Sequence, residues 1–151
     1  MNLVRQLLVG GGISIVNIAV HALAMTWVIR IARAMGSTAA VRSSISLMQV
    51  MIVTVLVLML AHLCEVAVWG LAYWIVDILP PAVHGSDVYF AFVNYTTLGY
   101  GDILPVERWR LLGPMTAMNG VLLFGWSTAV IFEVLRKSIA SPTFDGKTER
   151  T

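Results

Sequence analysis

The run Thr96-Thr97-Leu98-Gly99-Tyr100-Gly101-Asp102 carries the clearest chemical signature in the chain. Consecutive backbone carbonyls point the same way only where the backbone alternates hand, and Gly99 and Gly101 take positive φ without steric cost. A row of such carbonyls can replace the hydration shell of a potassium ion if four chains converge on one axis and turn the row into rings. The Thr97 hydroxyl adds a further ring of oxygens below. Glycine-rich tetrapeptides alone are often ordinary turns. The threonine pair, a short preceding helix and flanking apolar spans are what separate the two readings.

A second candidate is the pair His62 and Glu65, one helical turn apart inside an apolar stretch. An intramembrane carboxylate is costly and is a functional candidate by default. It can brace the short helix or act with His62 as a proton sensor. The plainer reading is a hydrogen bond between helices, and the sequence favours it. Two candidate ligands fall short of a closed metal site. An intramembrane enzyme is a distant alternative, because no nucleophile motif accompanies the pair; the chain reads as a non-enzyme. His21 reads as a helix-contact residue.

The elements that must position these residues follow from composition. The chain has 151 residues, 58% hydrophobic and 12% charged, against roughly 25% charged in soluble domains. Apolar blocks at 7–29, 47–76 and 111–135 are each long enough to cross a hydrocarbon layer about 30 Å thick at about 1.5 Å per residue. The first is longer than a typical cleaved leader core and precedes Arg30 and Arg33, so it reads as a retained span. Those two arginines sit at a span's end and suit anchoring to the inner leaflet better than voltage sensing. Pro80-Pro81 stops the second helix. Ser86 or Asp87 then caps a short helix through Tyr95, about ten residues that enter a bilayer and stop partway.

Remaining features are secondary. A net charge of +2 without a basic run argues against nucleic acid. The lone Cys64 excludes an intrachain disulfide and reads as a packing residue. Arg30, Arg33, Arg42, Arg136, Lys137, Lys147 and Arg150 fall on one side of the spans, and Arg5, Arg108 and Arg110 on the other. That bias places the N-terminus outside and the C-terminus in the cytoplasm of the cell membrane. Trp69, Trp74 and Trp109 fit interfacial anchoring. Gly120 and Gly125 in the third span read equally as bend points or as close-packing residues. Glu133 reads either as a lure for cations or as a solvated helix-end charge.

Thr-Thr-Leu-Gly-Tyr-Gly-Asp, preceded by an aromatic-rich short helix and bracketed by two spans, resembles the potassium channel pore module over roughly 47–137. The resemblance implies an all-α membrane protein with three transmembrane helices, a re-entrant pore helix and a filter loop, tetrameric around a central pore. Its divisions are an N-terminal span and linker at 1–46, the pore module at 47–137 and a cytoplasmic tail at 138–151. Three identical subunits and membrane lipid are then the partners. There is no cofactor beyond potassium in the filter Thr97, Leu98, Gly99, Tyr100 and Gly101, coordinated by the first four. Tyr89, Phe90, Thr96 and Asp102 support that filter, with Tyr100 wedging against Tyr89 and Phe90, and Tyr89 bonding Asp102. The family's hinge glycine maps to Gly120 or Gly125. Leu98 departs from the more usual valine or isoleucine. A weakly selective monovalent cation channel and a non-conducting accessory subunit are the alternatives.

Overall fold

The computed structural model describes residues 3–37 and 44–139, and all of its regular structure is helical. Helix α1 spans Leu3–Ser37 and α2 spans Ser44–Val76. A 3-10 turn at Pro81–Val83 leads into α3, Asp87–Tyr95. A second 3-10 turn at Glu107–Trp109 precedes α4, Leu112–Ile139. Stretches within α1 and α2 and one running through α4 are long and apolar enough to cross a membrane. At nine residues, α3 is about 14 Å long and is not.

One boundary and one stop signal differ from the sequence reading. The linker expected at 34–46 is helical at both its ends, because α1 continues to Ser37 and α2 begins at Ser44; small residues such as Ala34 propagate a helix well. What is left of that linker, with Arg42, and the tail from Ala140 onward, with Lys147 and Arg150, lie outside the described residues. Helix α2 also ends before the proline pair. Asp77 adopts a left-handed φ of 54°. Its N–H donates to the Trp74 carbonyl at 3.3 Å, and Ile78 N–H donates to the Tyr73 carbonyl at 3.2 Å. This is a Schellman cap, closed on its apolar side by fully buried Ile78.

Helix α3 lies between α2 and α4, and α1 packs along both of those long helices. Three glycines let α3 sit close. A Cβ at Gly70 would meet Val88 at 3.0 Å, one at Gly113 would meet Asn94 Oδ1 at 3.0 Å, and one at Gly120 would run into the Tyr95 carbonyl. At its start, α4 has backbone N–H groups with no partner inside the helix. Just ahead of it, Leu111 N–H donates to the buried Gln6 side chain of α1 at 3.0 Å, which ties the two helix ends together.

Two apolar clusters make the core. One joins Trp69, Tyr73, Ile78, Phe90, Tyr95 and Leu112 around α3. The other joins Met25, Val28, Val50, Leu58 and Val134 toward the far ends of α1, α2 and α4. Between them lies a polar layer holding Asn17, His21, Glu65, Asn119 and Ser127, all buried. Trp69 belongs to the first cluster rather than to an interface: it is fully buried and its Nε1 donates to Asn119 Oδ1 at 3.1 Å. Trp109 is buried too and donates to the Val76 carbonyl at 3.0 Å, whereas Trp74 is exposed. Cys64 lies on the exposed face of α2 and so is not a packing residue within this chain.

Candidate functional site

The loop after α3 has two constraints, one on its donors and one on its dihedrals. The N–H groups of Thr96, Thr97, Leu98 and Gly99 turn back onto the last carbonyls of α3, with Thr96 to Phe92 at 3.0 Å, Thr97 to Asn94 at 2.9 Å and Leu98 to Val93 at 2.9 Å. Gly99 reaches the same Val93 carbonyl at 3.4 Å. Thr97, Gly99 and Gly101 then adopt φ of 60°, 59° and 72°. Every second residue is left-handed, which is the alternation that aligns successive carbonyls. Among the described residues, none of the carbonyls of 97–101 receives a hydrogen bond. The donors of 96–99 are occupied and the acceptors of 97–101 are free.

The sequence located two of these three left-handed positions. It missed Thr97, a β-branched residue for which positive φ is a genuine outlier. Its Oγ1 donates to the Thr96 carbonyl at 2.6 Å, within the same turn. Leu98 is 54% exposed and Tyr100 is 66% exposed, so neither side chain packs behind the loop of its own chain. Among the described residues, Tyr100 makes no ring contact with Tyr89 or Phe90. Phe90 is buried against Tyr73, with ring centroids 5.4 Å apart, and faces the core between α2 and α4. Tyr89 does reach the loop: its hydroxyl donates to Asp102 Oδ2 at 2.6 Å. That carboxylate raises the Tyr89 phenol above its ordinary pKa by accepting its hydrogen. Thr96 donates its hydroxyl to Phe92 O at 2.8 Å and so caps α3. A cavity of about 620 Å³ lies behind the loop, lined by Phe90, Val93, Asn94, Gly99, Gly101 and Ile103.

Behind the C-terminal end of α3 is the polar layer. Glu65 is fully buried and receives groups from three helices. His21 Nδ1 of α1 lies 2.8 Å from Oε1, and His62 Nδ1 lies 2.9 Å from Oε2. Tyr95 of α3 donates its hydroxyl to Oε2 as well. Both imidazoles turn their other nitrogen toward Ser127 Oγ of α4, His62 Nε2 at 3.0 Å and His21 Nε2 at 3.5 Å. Below this, Asn17 donates to the Glu65 carbonyl at 3.3 Å and to Asn119 Oδ1 at 3.1 Å. The expected pair of His62 and Glu65 is therefore part of a larger network joining all four helices. His21, Tyr95 and Ser127 were missed as members. Helical spacing shows the His62 and Glu65 relation, one turn apart, but not one across 44 residues.

The remaining expected residues separate. Gly120 is a close-packing glycine against the end of α3, while Gly125 faces open space. Glu133 is tied to its own helix, to Arg136 at 2.8 Å and Lys137 at 2.9 Å.

A long-helix pair with a short helix and a carbonyl-presenting loop between them is the architecture of a channel subunit. The family model described as "Ion channel" matches residues 61–137, just over half of the chain. The chain belongs to this ion channel family, of the potassium-channel pore-module type, and is a multi-pass membrane protein. The family is one of channels and not of enzymes. Neither curated proteins nor solved structures give a match to the chain.

Proposed function

We propose that the chain is one subunit of a potassium-selective channel, with Thr97-Leu98-Gly99-Tyr100-Gly101 as its filter. The observation that carries this reading is the alternation of left-handed φ at Thr97, Gly99 and Gly101 over carbonyls without partners. Carbonyl rings in a desolvated pore coordinate a dehydrated cation, and one row per chain requires four chains to close each ring. The exposure of Leu98 and Tyr100 agrees with this, since their side chains then pack against a neighbouring copy. Helix α3 is the re-entrant pore helix in this arrangement. The carbonyl end of its dipole faces the inner cavity and favours a cation there. The excess of lysine and arginine beyond α1 and α4 sets the N-terminus outside and the C-terminus in the cytoplasm.

Purified protein in liposomes tests the proposal under opposed potassium and sodium gradients. The expected reversal potential follows the potassium gradient. A reversal potential that tracks both ions equally would identify a weakly selective cation channel. No flux from a protein that cross-links as a tetramer would identify a non-conducting accessory subunit.

A further inference from the structure

We infer that His21, His62 and Glu65 form a binding site for a divalent transition metal ion of the zinc class, joining α1 to α2 behind the pore helix. Their ligand atoms all lie within 4.8 Å of one another. Tetrahedral coordination at about 2.0–2.1 Å places neighbouring ligand atoms about 3.3 Å apart. The N···O separations of 2.8 Å to Oε1 and 2.9 Å to Oε2 need to open by about half an ångström, and any wider pair within the 4.8 Å cluster to close, to admit an ion. Two imidazoles and a carboxylate with no thiolate make a ligand set that suits zinc and its borderline neighbours. The Tyr95 hydroxyl, 2.9 Å from His62 Nδ1, stands beside the remaining coordination position.

The far side of both rings suits an occupied site. Both Nε2 atoms face the same Ser127 Oγ, His62 at 3.0 Å and His21 at 3.5 Å. A metal on both Nδ1 atoms fixes both tautomers. Each Nε2 then carries the hydrogen, and the two lone pairs of Ser127 Oγ accept both. Ligating histidines characteristically donate their far nitrogen to such a partner, which fixes the tautomer and the ring. His62 is the accessible member, its side chain 15% exposed, on a cavity of about 460 Å³ also lined by Tyr95, Phe124 and Ser127. The other two ligands are fully buried.

The test is metal binding by the intact protein, treated with chelator and then given Zn²⁺ or Co²⁺. The expected result is about one ion per chain by elemental analysis, with cobalt absorption bands of four-coordinate nitrogen and oxygen ligation. His21→Gln and Glu65→Gln should abolish binding. Ser127→Ala, which keeps all three ligands, should weaken it by about 10- to 100-fold. A wild-type protein that retains no ion overturns the inference; so does unchanged affinity in His21→Gln. The readout is metal content, so it stands or falls separately from potassium selectivity.

Discussion

Replacing Gly120 with alanine probes how the end of α3 is seated. A Cβ there collides with the Tyr95 carbonyl oxygen, lies 3.0 Å from the Tyr95 carbonyl carbon and 3.3 Å from its Cγ. An ordinary C···O contact is about 3.3–3.6 Å, so α3 must retreat from α4 by roughly an ångström. The obstacle is backbone and not the tip of a flexible side chain, so the cost falls at the upper part of the overpacking range of about 1–3 kcal/mol. Gly125→Ala is the internal control. It meets nothing within 4 Å and replaces a helix-interior glycine. It should therefore stabilise by about 0.5–1 kcal/mol. Thermal melting of both variants in one detergent measures the difference, expected at about 2–4 kcal/mol between them. Potassium flux supplies the functional half, because Tyr95 immediately precedes Thr96 and Thr97. Flux should fall in Gly120→Ala and persist in Gly125→Ala. Equal melting of the two variants would refute the packing account, and loss of flux in Gly125→Ala alone would transfer the critical role to that glycine as a hinge.

Tyr89→Phe removes the donor to Asp102 and leaves the ring in place. Current should decay faster during sustained recording, with initial conductance retained; an unchanged time course would show that the contact does not steady the loop. Asp77 holds the left-handed position that closes α2. Asp77→Ala should lower stability by about 1 kcal/mol, whereas Asp77→Gly should match or exceed the wild type. Melting curves check the pair, and identical midpoints would remove backbone conformation as the reason for the cap.

Local signals carried much of the architecture into the sequence. Runs of apolar residues mark the three long helices because a hydrocarbon layer demands an uninterrupted length, and that demand is met residue by residue. The spacing of Gly99 and Gly101 marks the loop because positive φ is a property of single residues. What stops a helix was harder. Asp77 ends α2 ahead of the proline pair, through hydrogen bonds whose register the residue types do not fix. Thr97 was not legible as left-handed at all, since its own type disfavours that conformation and the hydrogen bonds to α3 hold it there. Trp69 was misplaced for a related reason. Its type suits an interface, and only the packing of α2 against α4 brings Asn119 to its indole.

The opening motif was therefore readable without coordinates, and so was membership of a membrane-spanning channel class. The environment of Glu65 was not. His21, Tyr95 and Ser127 approach it across separations of 44 and 30 residues, and through a histidine 65 residues from Ser127. No periodicity links those positions, because they share neither a helix nor a turn. They meet because α1, α2, α3 and α4 pack around one buried carboxyl group, and a polar group in an apolar interior must find its partners wherever the fold supplies them.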